Sequence, residues 1–182
     1  MTLTVITPPD GEALSLDAAK DYLRIGTDGE DALVAALIAS ARARLEAASG
    51  LALVARTLKQ TWEDWPRGVT RGGAWLGAGP VSALVSVSVV DAEDVAELVT
   101  GRFRVRCGRL ALRPWNALPL VPEGGRIEAV FDVGYGAAAE VPEDLVLALK
   151  LLVLEAYRRG AAGSDLPDEV NQIVSARRGV KL

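Results

Sequence analysis

The sequence predicts an α+β protein: a helical core of two N-terminal helices and one long C-terminal helix, with an inserted antiparallel β-domain and a C-terminal arm. Three observations carry this. Apolar side chains recur at spacings of three and four between residues 16 and 49, the period of a helix buried on one face. From Val54 the period drops to two and turn residues come at short intervals, the pattern of antiparallel strands. The longest apolar run, Leu145 to Ala156, then returns to helical spacing. The divisions expected are an N-terminal arm over 1–14, a helical core over 15–53 and 140–160, a β-domain over 54–139, and an arm or short helix over 161–182.

Residues 2–6 alternate polar and β-branched side chains until Pro8, Pro9 and Gly11 stop any regular element, so they read as an extended arm. Ser15 is placed to cap a helix from Leu16 to Ile25, with Asp17 in its first turn and Gly26 closing it. A second helix starts after Asp28 and reaches Ser49, with Leu33, Leu37, Ala41, Leu45 and Ala48 as its apolar face and Gly50 at its end. Strands are expected at Thr57–Trp62, Leu84–Val90, Val95–Val99, Phe103–Cys107, Arg109–Leu112 and Ile127–Val133, with a glycine-rich loop over Gly68–Gly79. Pro142 suits the first position of the third helix and Glu143 and Asp144 its first turn, while Arg158, Arg159 and Gly160 suit its end. Leu145, Leu149, Leu152 and Ala156 mark its core face. Leu147, Leu151 and Leu154 widen the apolar surface, which makes it the central helix. Pro167 opens a last short helix with Val170, Ile173 and Val174 on one face.

Composition excludes more than it assigns. Half of the 182 residues are apolar, enough for a sizeable core. A net charge of −4 and a pI near 5.0 oppose a general nucleic-acid binder, which needs a basic surface. Histidine is absent, which removes the commonest general base and metal ligand. Cys107 is the single cysteine, so no intramolecular disulfide is expected and the chain suits a reducing cytoplasm. The N-terminus lacks a signal-peptide pattern, and the run around Leu145–Ala156 is too short to span a bilayer, so no membrane partner is expected.

No residue set suggests catalysis, a cofactor or a metal. No phosphate-binding GxxxxGK[ST] sequence is present, and Gly72, Gly73, Gly77 and Gly79 do not lead from a strand into a helix. Asp91, Glu93, Asp94 and Glu97 have the charge to hold a hard cation, but their place between two apolar runs favours a solvated hairpin turn. Arg102, Arg104 and Arg106 alternate with Phe103, Val105 and Cys107, which sends the three guanidinium groups to one face of a strand. Arg109 and Arg113 continue that pattern across Gly108. The resulting basic hairpin face is either an ordinary solvated surface or an electrostatic contact with an acidic neighbour or with passing DNA. Trp62, Trp65, Trp75 and Trp115 read as core or interface anchors. Beyond Glu169 no acidic residue occurs, and Arg177, Arg178 and Lys181 are basic while Val180 and Leu182 are apolar, in a tail that local folding alone cannot bury.

Taken together, the segments resemble the connector, or adaptor, proteins at the head-to-tail junction of tailed phages and gene transfer agents. The resemblance is carried by Leu16–Arg24 followed by Asp31–Ile38 and by Pro80-Val81 leading to Val85-Ser86-Val87 and Val90-Asp91. It continues through Gly108-Arg109-Leu110, Val130–Gly136 and Val141–Leu145. It runs from residue 16 to about residue 160 and rests on the order and spacing of the segments. In the hairpin turn Asp94 stands where that family commonly has glycine, and Val90 where it often has an aromatic residue.

The resemblance implies a closed ring of about twelve identical subunits beneath the portal, with head-to-tail contacts between copies. The helices would form the ring body and the β-domain would project. Further partners would be the portal protein, a head-closure (stopper) or other tail-proximal neck protein, and DNA crossing the lumen without sequence-specific binding. The place would be the neck of a particle assembled in a bacterial cytoplasm. The C-terminal segment would reach into the portal, so Val174, Arg177, Arg178, Val180, Lys181 and Leu182 are the expected portal-binding residues. A small DNA-binding regulator and a carboxylate-dependent enzyme are the alternatives. The regulator lacks a basic recognition helix and the enzyme lacks a convergent set of acid and base groups.

Overall fold

The computed structural model, which describes residues 1–160 and 165–177, has the α+β architecture that the change of period predicts. The chain divides into two compact units. A β unit comprises Met1–Pro8 and Ala55–Gly134, and a helical unit comprises Pro9–Val54 and the described residues from Tyr135 onward. The elements in order are β1 (Thr2–Thr7), α1 (Leu16–Leu23), α2 (Asp31–Ser49), β2 (Arg56–Trp62), β3 (Ala74–Trp75), β4 (Val81–Val90), β5 (Ala96–Leu98), β6 (Phe103–Arg106), β7 (Arg109–Leu112), β8 (Arg126–Val133), α3 (Glu143–Arg159) and α4 (Asp168–Arg177).

In the β unit a five-stranded sheet runs β1-β2-β8-β4-β5 and a three-stranded sheet runs β3-β7-β6, every pairing antiparallel. Burial alternates along β2 and β8, so Leu58, Gln60 and Trp62 face inward opposite Phe131, Ala129 and Ile127. Gln60 is the one buried polar residue among those described, and its Oε1 accepts the Gly77 N–H at 2.8 Å. That bond fixes part of the glycine-rich segment, in which the two-residue strand β3 forms where only a loop was expected. Residues 2–7, expected as part of an arm, form the edge strand β1, with Thr2 opposite Thr61 and Val5 opposite Leu58. Sequence shows extended backbone here but not the partner more than fifty residues away that takes up its hydrogen bonds. Residues 9–14 belong instead to the helical unit, where Ala13 and Leu14 are buried.

In the helical unit Ser15 caps α1, its Oγ accepting the Ala18 N–H at 3.2 Å. The helix ends earlier than expected, on Arg24 at φ +63° and not on Gly26; the Ile25 N–H reaches the Lys20 carbonyl to close the turn. Across the connection, the Lys20 ammonium bonds Asp28 at 2.7 Å and Asp31 at 2.6 Å. These bonds raise the lysine above its ordinary range and lower Asp28. The buried face of α2 is Val34, Ile38, Ala41 and Leu45; Ala41 and Leu45 are as expected, while Val34 and Ile38 take the places expected for Leu33 and Leu37, and Leu33 is exposed. Gly50 ends the helix at φ +71°. α3 buries Leu145, Ala148, Leu149, Leu152, Val153 and Ala156 and touches α1, α2 and α4, which makes it the central helix. Leu147, part of the widened apolar surface, faces solvent instead. α4 closes the core with Val170 and Val174. No described helix is long and apolar enough to cross a membrane.

Candidate functional site

The β6–β7 hairpin turns on Cys107 and Gly108, at φ +50° and +69°. Two consecutive left-handed residues define the tight two-residue turn whose twist matches its strands. This turn places Arg106 opposite Arg109 and Arg104 opposite Ala111, and the Arg113 N–H bonds the Arg102 carbonyl at 2.8 Å. Directly opposed residues share a face. Arg104, Arg106 and Arg109 are therefore brought together on one face, with Arg102 and Arg113 bonded to each other at the open end of the hairpin, and Phe103, Val105, Leu110 and Leu112 lie on the other. Phe103 and Leu110 are fully buried there, and Phe103 stacks on Trp65 with ring centres 4.8 Å apart. The Trp65 Nε1–H donates to the Pro119 carbonyl at 2.8 Å, which holds this half-buried tryptophan over Phe103.

Trp75 on β3 lies opposite Arg109 and joins the arginine face, its ring near Gly108. The Arg113 Nε–H donates to the Phe103 carbonyl at 2.8 Å and the Arg102 Nη1 reaches the Ala117 carbonyl at 3.4 Å. These bonds orient the two guanidinium groups without neutralising them. Among the described residues none of the five arginines forms an ion pair. Other cations of the chain behave differently: Arg42, Arg44, Lys59, Arg126, Arg159 and Arg177 are all paired with carboxylates. The loop after β7 carries Trp115, which is 103% exposed and sits at φ +65°. Sequence reasoning marked it as an anchor; its complete exposure follows from the turn that holds it.

The acidic run forms the β4–β5 turn. Asp91 Oδ1 accepts the N–H groups of Glu93 and Val95 at 3.0 and 2.8 Å, and Asp94 adopts φ +64°, the left-handed position that suits glycine. Aspartate is among the few residues that tolerate it. Asp94 also pairs with Arg126 at 2.8 Å. Arg126 in turn bonds Glu128 at 2.8 Å, as does Lys59 at 3.2 Å. Burial pushes the Glu128 carboxyl up, but the bonds from Arg126 and Lys59 outweigh it and hold it below its usual range. Among the described residues no three cysteine or carboxylate side chains are grouped to hold a metal ion. A shallow cleft of about 560 Å³ beside β4 and β6 is lined by Ser82, Thr100, Arg104, Cys107 and Arg113 among others, with no carboxylate to serve as a base.

The second set of expected site residues is only partly visible. Val174 fills the core of its own helical unit, and Arg177 makes a two-point ion pair with Asp144 at 2.7 and 2.8 Å that ties α4 to the start of α3. The hydrogen bonds from Arg177 lower the Asp144 carboxyl below its ordinary range. Arg178, Val180, Lys181 and Leu182 lie outside the described residues. Val174 is thus turned into its own protomer, while Arg177 stays exposed at the surface beside Asp144.

No protein-family model matches the sequence, and no curated protein matches it. Solved structures do. A chain in the virion of a native gene transfer agent particle matches with a TM-score of 0.83 and 28% identity, covering 100% of this chain and 97% of that one. A chain in the neck of an empty gene transfer agent particle, computed with C6 symmetry, matches at 0.81 and 30% identity over the same shares. A third, in the neck of a native particle computed with C12 symmetry, matches at 0.81 and 26% identity, again over 100% and 97%.

Proposed function

The chain belongs to the connector, or adaptor, family of phage and gene transfer agent necks, a structural component of the particle, and from that premise we propose that it acts as a ring-forming adaptor. Twelve copies close a ring that binds the portal on one side and a head-closure or other tail-proximal neck protein on the other, and DNA passes through the centre. The observation that carries this reading is the end-to-end match to chains in neck particles, one of them resolved with twelvefold symmetry. A cyclic ring of identical subunits needs two different, complementary surfaces on each copy. The net charge of −4 also suits a channel through which DNA must slide.

Portal binding is assigned to the C-terminal tail beyond α4, whose Arg178 and Lys181 suit acidic portal residues and whose Val180 and Leu182 suit apolar pockets. Val174 and Arg177 anchor the helix from which that tail departs. The test is genetic and structural. Particles produced without this protein, viewed by electron microscopy, are expected to be heads that lack tails, and complete tailed particles would overturn the adaptor role. Removing only residues 178–182 is expected to abolish co-purification with portal protein while leaving the fold intact; unchanged co-purification would overturn the tail's assignment.

A further inference from the structure

We propose that neighbouring copies of this chain also meet through their β units, the arginine face and Trp115 of one copy docking on the β4–β5 hairpin of the next. The inference rests on the ring assembly proposed above and names one of its copy-to-copy surfaces.

Three features of the donor side point to a partner. Five arginines gather on one hairpin and none is ion-paired among the described residues, an arrangement whose mutual repulsion a facing acidic surface relieves. Trp115 extends its whole indole into water, where an aromatic side chain gains nothing within the protomer. It does so from a left-handed backbone position that disfavours any side chain with a Cβ. Trp and Arg are the residue types that most often dominate binding energy at protein interfaces.

The β4–β5 hairpin supplies the complement. Glu93, Asp94 and Glu97 are exposed on it, and Glu63, Asp64 and Glu123 are exposed at the same end of the five-stranded sheet, where β2 and β4 end and β8 begins. Between those carboxylates stand Val95 and Leu98, 65% and 70% exposed. β5 is an edge strand with β4 as its one neighbour, and it carries these apolar groups on an open edge, a combination that soluble proteins avoid unless something covers it. Each surface thus holds an excess of charge of one sign beside unburied apolar side chains, Arg126 offsetting Asp94 on the acidic side, and the two excesses are opposite. Within the protomer the two do not pair. Two unlike patches on one molecule, each fitting the other, give the heterologous contact that closes a ring. DNA is the weaker occupant for the arginines: each phosphate neutralised steepens the salt dependence of binding by about 0.9. A ring presenting many such contacts to the lumen would grip the DNA it must release.

Native Cys107, exposed at the tip of the arginine hairpin, makes the test direct. Val95→Cys and Glu97→Cys are introduced singly into the full-length chain, particles are assembled and purified, and thiols are joined by mild oxidation or a short bismaleimide. A ladder of linked chains on a non-reducing gel, lost when Cys107→Ser is added, is the expected result. In the Val95→Cys background, Arg104→Glu with Arg106→Glu is expected to lower the linked yield about tenfold, because like charges then face each other. Adding Glu93→Arg with Glu97→Arg restores it. Particles that contain the variants but give no ladder at either position overturn this interface and leave the neck assignment standing. A reversal whose only effect is to weaken retention of duplex DNA, with the ladder unchanged, also overturns it. Absence of the wild-type chain from purified particles overturns the neck assignment itself.

Discussion

Replacing Trp115 by glycine is expected to make the isolated protein more stable and the assembled particle less so. The residue stands third in the turn Arg113-Pro114-Trp115-Asn116, where the Asn116 N–H reaches the Arg113 carbonyl at 3.3 Å and φ is +65°. A side chain with a Cβ in this region costs roughly 1–2 kcal/mol. Glycine removes that cost but brings a more flexible unfolded chain, which returns roughly 0.5–1 kcal/mol. Nothing is lost from burial, because the indole is 103% exposed. The net gain is about 0.5–1 kcal/mol, or roughly 1–4 °C in Tm for a chain of this size. Calorimetry on the unassembled protein reads that gain. Loss of an interface anchor, by contrast, costs about 2 kcal/mol or more, so affinity between copies falls about thirtyfold. Fewer tailed particles and a weaker ladder of linked chains report it. A Trp115→Gly protein that unfolds more than about 1 kcal/mol more easily than wild type would refute the reasoning, since the indole would then be supporting its own protomer.

Three other outcomes follow from the packing. Leu149→Ala, at a fully buried position on the central helix, is expected to cost the helical unit about 2–5 kcal/mol in a denaturant titration. Gly73 sits at φ +98° with the Arg109 Cβ 2.7 Å and the Leu110 carbonyl 3.2 Å from where its own Cβ would be. Gly73→Ala is accordingly expected to cost about 2–4 kcal/mol and to loosen β3, seen as a shift in the emission of Trp75. The Asp144–Arg177 pair sets a pH dependence. Because the folded carboxyl is held below its ordinary value of 3.8, its contribution is complete above that value and disappears as pH falls through the lowered one. Asp144→Asn should raise amide exchange in α4 relative to α3 at neutral pH, and wild type should show the same loosening only below pH 3.8.

What the sequence disclosed and what it hid divide along a physical line. Strands and helices with a strong period of their own were readable to within a few residues: β7 and the end of α2 fall where alternation and Gly50 put them. Features that depend on a distant partner were not. β1 exists as a strand because β2 needs an edge neighbour, and β3 because Gln60 and β7 hold residues 74–77 in place. The first half of the α2 stripe falls on Val34 and Ile38 and not on Leu33 and Leu37 because residues 32–39 are apolar on every side and packing against α3 selects one face. At the candidate surface, period-two spacing put Arg102, Arg104 and Arg106 together. The same pattern carried Arg109 and Arg113 onto that face across Gly108, and the hairpin register supplies what spacing could not, the direct opposition of Arg106 and Arg109. Exposure of Trp115 had no signal beyond the Pro-Trp-Asn turn residues, and the open edge of β5 had only the alternation of acidic and apolar groups in residues 93–98.

In the proposed ring, the arginine face would also reconcile a net acidic chain with a passage for DNA. Were its cations spread evenly, each would be cancelled locally, as Arg126 is by Asp94 and Glu128, and no surface would direct one copy toward the next. Segregation inverts this. The hairpin concentrates unpaired guanidinium groups in one place and leaves the β4–β5 end in carboxylate excess, which in the proposed ring would steer encounter between copies into a single orientation. In the proposed assembly, docking would remove the positive patch from contact with DNA and leave the acidic remainder facing whatever passes. Raised salt should therefore weaken contacts between β units, which depend on exposed charge, well before it disturbs the helical core, which depends on Leu145, Leu149 and Leu152. Neck rings that dissociate with increasing salt while the helical signal in circular dichroism stays constant would meet this expectation. Rings indifferent to salt would show that apolar contact alone holds the copies together.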